Sequence, residues 1–157
     1  MDVMIEIRPA ALPDHLPVIR ELFLEYSREL EVDLCFQHFD DELENLPGKY
    51  APPSGRLLLA WHGDRAVGCV ALRALPGAAS EMKRLYVRPE ARAQRLGRQL
   101  AERVIEEARE AGYRRILLDT LPKLSAALAL YSKLGFKPTE AYTFNPIEGV
   151  LFLGLDL

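Results

Sequence analysis

The stretch "RLYVRPEARAQRLGRQLAERV", residues 84–104, places six arginines in a chain whose net charge is −3. From Lys83 to Arg103 seven Lys/Arg stand against two Glu, a local balance of +5, so the remainder of the chain sums to −8. The residue types read as an apolar strand, a proline, a basic turn and a helix. A helix N-terminus carries up to four N–H groups without intrahelical acceptors, together with the positive end of the macrodipole. A strand running into that terminus aims those donors at one spot, and phosphate is the anion they suit. Each charge-assisted hydrogen bond shielded from water contributes about 1.5–3 kcal/mol, so several converging on a pyrophosphate would support micromolar binding. The competing reading is a solvated basic face, with Arg98–Glu102 and Arg103–Glu107 as pairs one turn apart. The chemistry of the stretch leaves both open.

Other reactive side chains offer less. His15, His38 and His62 have no ligand-like spacing, which points to surface or capping roles and to no metal site. Cys35 and Cys69 lie near no base motif, so they read as packed thiols and not as nucleophiles. Residues 29–45 hold seven Asp/Glu and no Lys/Arg. Such a run is either a solvated helix face or one wall of a negative groove that would favour a cationic partner.

The elements that must position these groups follow from periodicity. "MIEIR" alternates like a short strand. Leu16, Ile19, Phe23, Tyr26 and Leu30 fall at helical spacing, with Asp14 expected as the entry cap and Pro17 tolerable in the first turn. Residues 38–46 read as an acidic helix ending at Pro47-Gly48, with "YAPPSG" as a loop. "RLLLAWHGDRAVGCVALRAL" reads as two strands about a Gly63-Asp64 turn, and "SEMKRLYV" as a third stopped by Pro89. Leu96, Leu100, Val104, Ala108 and Ala111 form one stripe of a helix from about Gly97 to Ala111, which Gly112 stops. "RRILLDT" is a near-continuous apolar strand, as in a sheet covered on both faces. A short helix over 124–136 closes at Gly135, and "TEAYTF" and "GVLFLGLDL" look strand-like about Asn145-Pro146. The order β-α-α-β-β-β-α-β-α-β-β makes a mixed, largely antiparallel α/β sheet flanked by helices, with one β-α-β crossover.

Bulk properties agree. A chain of 157 residues is one domain's worth, expected to span 1–157, with 49% hydrophobic and 27% charged residues as in ordinary globular proteins. No apolar run reaches the roughly 20 residues of a membrane span, and the start lacks the pattern of a signal peptide. Two cysteines suggest a reduced, cytoplasmic setting, and mild acidity argues against nucleic acid as a partner.

The stretch "EMKRLYVRPEARAQRLGRQL" resembles the acyl-CoA-binding signature of the GNAT N-acetyltransferase superfamily: a strand ending Leu-Tyr-Val, an Arg/Gln-x-x-Gly-x-Gly/Ala turn, then a helix. "ALALYSKLGFKP" is similar to the family's closing helix, with a tyrosine four residues before Gly-Phe, and the element order matches across essentially the whole chain. The resemblance implies an acetyl-CoA-dependent N-acetyltransferase, a monomer or homodimer using no metal, that acts on an amine in a ternary complex. It also implies roles for particular residues. The turn Arg92, Ala93, Gln94, Arg95, Leu96, Gly97 and Arg98 would bind the cofactor, with backbone donors of Gln94 to Arg98 cradling the pyrophosphate. Leu85 and Val87 would pair with the pantetheine arm like an added strand, with Tyr86 between them also at the cofactor. Tyr131 would protonate the departing thiolate, and Glu81, or a water relay, would take the proton of the amine, since an alkylamine of pKa ~10.4 is only about 0.04% neutral at pH 7. The acidic segment, "YAPPSG" and the "YTFNPIE" turn would border the acceptor, with Tyr142 and Phe144 lining its pocket or serving as sheet core.

Two positions depart from the family pattern. Arg95 occupies the first motif glycine, which at φ > 0 would cost about 1–2 kcal/mol, while its guanidinium could pair a phosphate. Leu124 replaces an asparagine that contacts the pantetheine arm, a role Ser125 could take over. The altered turn keeps a second function open: a GNAT fold that holds acyl-CoA as a sensor without turnover.

Overall fold

The computed structural model describes residues 4–31, 34 and 38–157; Cys35 lies outside them. Eleven elements follow in chain order: β1 (Ile5–Pro9), α1 (Leu16–Leu30), α2 (Phe39–Glu44), β2 (Arg56–His62), β3 (Arg65–Leu75), β4 (Ala79–Val87), α3 (Leu96–Glu110), β5 (Arg115–Thr120), α4 (Ser125–Lys133), β6 (Lys137–Pro138) and β7 (Leu151–Asp156). Short 3-10 turns cover Gly48–Tyr50 and Pro89–Gln94. The seven strands form one mixed sheet in the order β1-β2-β3-β4-β5-β7-β6. Every neighbouring pair is antiparallel except β4 and β5, which the α3 crossover makes parallel. This is the mixed α/β architecture that the sequence implies.

Strand alternation divides the core in two. Leu58, Val70, Leu72 and Met82 pack against Leu96, Leu100 and Val104 of α3. Leu57, Leu59, Cys69 and Ala71 face Ile19, Leu22 and Phe23 of α1 and Phe39 and Leu43 of α2. The parallel strand β5 buries both faces through Ile116, Leu117 and Leu118, as its unbroken apolar run requires.

Two local expectations change. Asp14 does not cap α1: the N-cap position is His15, whose Nδ1 accepts the Ala11 N–H at 2.8 Å. The ring nitrogen thereby satisfies a backbone donor upstream of the helix instead of a donor within it. "TEAYTF" is not a strand. The pairing with β7 falls on Lys137–Pro138, and residues 139–150 run as an irregular loop whose side chains are claimed by the sheet, as described below.

Candidate active site

The sheet opens where β4 meets β5. The two pair only through Ala79↔Arg115, Ser80↔Ile116 and Glu81↔Leu117, yet β4 continues to Val87 and β5 to Thr120. A β-bulge accompanies the divergence. Cys69 pairs with Tyr86 and Ala71 with Lys83, so Val70 alone opposes Arg84 and Leu85, and Arg84 takes φ 61°. The extra residue bends and twists the strand. The gap is a cavity of about 450 Å³ lined by Leu85, Val87, Leu118, Leu124, Ser125 and Tyr131, among others, with Tyr86 and Arg92 also on its wall.

At the head of this cleft the chain turns into α3. Among the described residues no acceptor meets the backbone N–H groups of Leu96, Gly97 and Arg98, while the Gln99 N–H bonds the Arg95 carbonyl at 3.2 Å. Gly97 lies against Val87, where an added Cβ would sit 4.0 Å from Val87 Cγ2. Leu96 is buried under the turn, and Ala93, Gln94, Arg95 and Arg98 are exposed. Arg95 adopts φ 55°, ψ 28°, the left-handed conformation that its glycine position demands.

Most of the arginines are already spoken for. Arg84, almost fully buried, donates to Glu42 at 2.9 and 3.0 Å and lies over the rings of Tyr26 and Phe39. Arg88, also buried, bonds Glu25 at 2.7 Å and Glu21 at 2.8 Å. Arg92 pairs with Glu29 and gives its Nε–H to the Val87 carbonyl at 2.9 Å. Arg98–Glu102 at 2.9 Å and Arg103–Glu107 at 3.8 Å are the anticipated helix pairs. Of the six arginines from Arg84 to Arg103, Arg95 alone has a guanidinium that meets no partner among the described residues. The positive island is therefore largely neutralised within the chain, and the backbone N–H groups, with the exposed Arg95 guanidinium, are the donors left for an anion. Part of the acidic run is spent in the same way, through Glu29 and Glu42.

The opposite end of the gap gathers polar chemistry on the face toward α1 and α2. Glu81 is 1% exposed, with Oε1 accepting from Arg73 Nε at 2.6 Å and Oε2 from the Tyr142 hydroxyl at 2.6 Å. It is a locked carboxylate, not a solvated one. Because Glu81 faces Leu117 in register, the residues two further along, Lys83 and Asp119, stand across the gap on the same face. Asp119 is half-buried and lines the cleft; Asn145 holds its Oδ2 at 3.0 Å, and Oδ1 has no partner among the described residues. The reading of the sequence passed over Asp119. Its only signal was one acid within the apolar run "RILLDT".

Tyr131 is buried on α4 with its ring 5.7 Å from Phe136, and burial raises its hydroxyl well above the usual phenol range. Tyr142 is raised by burial and then by Glu81. Lys83 is held below the usual amine range, first by burial and then by Arg84. The Cys69 thiol is pushed up to about 12 by burial and donates to the Arg84 carbonyl at 3.3 Å, which makes it an inert core group. Among the described residues no three His, Cys, Asp or Glu gather as metal ligands.

A second cavity of about 360 Å³ lies beside the first, lined by His38, Lys49, Arg73, Lys83, Thr143 and Phe144, with acidic residues of α2 at its edge. Lys83 lines both. Phe144, 73% exposed, stands on its wall, while Tyr142 sits beneath on Glu81, with its ring 5.6 Å from Phe152.

Solved structures share the fold. An acetyltransferase of the GNAT family from Staphylococcus aureus superposes with a TM-score of 0.81 at 23% identity, over 98% of this chain and 99% of that one. A GNAT family acetyltransferase from Elizabethkingia anophelis with acetyl-CoA bound superposes with a TM-score of 0.70 at 24% identity, over 98% of each chain. The acetyltransferase (GNAT) family model matches residues 16–136, and the chain belongs to that family. It is 44% identical to a Schizosaccharomyces pombe protein named as an uncharacterized N-acetyltransferase, over 98% of this chain and 95% of that protein. The protein is accordingly an acyltransferase of the GNAT type.

Proposed function

We propose that residues 1–157 act as a single metal-free domain that moves an acetyl group from acetyl-CoA to a primary amine within a ternary complex. The observation that carries this reading is the split between β4 and β5, which runs from the unpaired N–H groups of α3 to Tyr131. In this reading Leu96, Gly97 and Arg98 hold the pyrophosphate and the free edge of β4 at Leu85 carries the pantetheine arm. Leu124 and Ser125 border that arm at the start of α4. The neighbour from Elizabethkingia anophelis, with acetyl-CoA bound, supports the choice of donor. Among the described residues no helix is long and apolar enough to cross a membrane, and the buried free thiol of Cys69 fits a reduced, cytoplasmic setting.

The acceptor enters from the second cavity and meets the thioester near Lys83 and Asp119. Its ammonium must lose one proton before the nitrogen attacks the carbonyl carbon. Two carboxylates compete for that proton. Glu81 has both oxygens engaged and reaches the gap only through the Tyr142 hydroxyl. Asp119 offers a free oxygen to the cleft, and we assign it the direct role, with Glu81 positioning Arg73 and Tyr142. The C–N bond forms, the C–S bond breaks, and the thiolate takes a proton from Tyr131. The second amine proton then restores the phenol. A phenol above its ordinary range is a weak acid toward a thiol of pKa ~8.5, so Tyr131 acts mainly by hydrogen-bonding sulfur as charge develops. Thiol release from acetyl-CoA against a panel of amines tests the reading. Binding of acetyl-CoA without turnover of any amine would overturn it in favour of an acyl-CoA-binding module.

A further inference from the structure

We propose that the second cavity selects an acceptor carrying a carboxylate beside its amine, so that the substrate class is the free amino acids. This rests on the acyl-transfer reading above and names the acceptor of that site.

Among the described residues, the terminal nitrogens of Arg73 and the ammonium of Lys49 are donors without acceptors on this cavity. The sequence suggests a negative acceptor groove, but the carboxylate of Glu42 is consumed: Oε1 accepts from Arg84 at 3.0 Å and Tyr50 at 2.9 Å, and Oε2 from Arg84 at 2.9 Å. Arg73 spends only its Nε–H on Glu81, and its two terminal nitrogens meet no acceptor among the described residues. Its side chain is 18% exposed, on the cavity wall. A guanidinium with both terminal nitrogens open is a fork for the two oxygens of a carboxylate. Lys49 and Lys83 line the same cavity, and Asp41 is the one lining carboxylate not paired to a cation among the described residues. At the other end, across Lys83, Asp119 presents its free oxygen. The open nitrogens of Arg73 and Lys49 on one side and the Asp119 carboxylate at the passage match a zwitterion: carboxylate toward Arg73 and Lys49, ammonium toward Asp119 and the donor cleft. A volume of about 360 Å³ suits a single small molecule. A polyamine would set its second ammonium against Arg73 and Lys49, a like-charge placement that costs binding.

The experiment measures thiol release from acetyl-CoA with the twenty free amino acids, the α-carboxamide of each one turned over, and spermidine. The expected result is kcat/KM at least tenfold higher for the free acid than for its amide, with spermidine poorer still. Arg73→Lys keeps a cation for Glu81 but removes the fork, and should bring the acid-to-amide ratio toward one. Lys49→Met, at an exposed position, should lower it severalfold without changing the dissociation constant of acetyl-CoA. Amides or spermidine used as well as the acids, or a ratio unmoved in both variants, would overturn the proposal while leaving acyl transfer intact. Tight acetyl-CoA binding with no thiol release from any of these probes would also overturn the proposal, and the wider amine panel above then decides the acyl-transfer reading.

Discussion

Replacing Arg95 with glycine separates two consequences of one residue. Arg95 is held at φ 55° as the N-cap of α3, where a glycine would carry no Cβ penalty. Relief of the left-handed strain is worth about 1–2 kcal/mol, and the larger conformational freedom of glycine in the unfolded chain takes back about 0.4–1 kcal/mol. Folding stability should therefore stay level or rise by up to about 1.5 kcal/mol, a Tm gain of a few degrees at this chain length. Binding should move the other way. The guanidinium is exposed and has no partner among the described residues, so its contact with a nucleotide phosphate would be solvent-screened. That places it nearer an exposed ion pair, about 0.5–1 kcal/mol, than a shielded bond. Arg95→Gly should weaken coenzyme A binding two- to fivefold in calorimetry and leave pantetheine binding unchanged. The two readouts thus carry opposite signs. Equal or tighter coenzyme A binding by the variant would refute the phosphate contact, and a lower Tm would refute the strain argument.

Tyr131→Phe should lower kcat while leaving the acetyl-CoA dissociation constant nearly unchanged, because the hydroxyl matters mainly as sulfur gains charge; an affinity loss at full turnover would make it a packing residue. Asp119→Asn retains the hydrogen bond to Asn145 and should cost about 10²–10⁴ in kcat/KM with an alkylamine but little with methoxyamine, which is neutral at pH 7. Glu81→Gln should not show that dependence on the amine's basicity, and equal selectivity in the two variants would withdraw the assignment of Asp119. Glu42→Gln strands the buried Arg84 charge and should destabilise the fold by about 3 kcal/mol in denaturant titration. The Glu25 carboxyl is held below its ordinary range, chiefly by the hydrogen bond from Arg88. Its stabilising contribution is present above the unfolded value of ~4.3 and fades as pH falls through the folded one, so Glu25→Gln should flatten the acid limb of a Tm-versus-pH curve.

What was legible in the sequence was local. Helical stripes, the Gly63-Asp64 hairpin and the glycine stops at Gly112 and Gly135 depend on residues within a few positions of each other, and all appear where periodicity places them. Arg98–Glu102 and Arg103–Glu107 were visible for the same reason. Arg84 and Arg88 were not, because their carboxylates lie 42 and 63–67 residues away on other elements. The loop 139–150 reads as a strand by composition. In the fold Tyr142 and Asn145 are drawn onto Glu81 and Asp119, 61 and 26 residues distant, and tertiary hydrogen bonds prevail over β propensity. Nor does any pattern announce that two strands pair for three residues and then part.

That parting has a physical origin in Arg84. Arg84 adds the extra position to β4, at a backbone angle few arginines adopt, and sets its guanidinium against Glu42 and over the rings of Tyr26 and Phe39. The bulge it occupies begins three residues beyond the last β4–β5 pair, where added twist would carry a strand off its neighbour. Burying that charge is tolerable only because Glu42 answers it at 2.9 Å, which ties α2 to β4 beside the second cavity. One buried ion pair thus fixes the strand that opens the donor cleft and removes Glu42 from the acceptor side, leaving the open nitrogens of Arg73 and Lys49 as donors to that cavity.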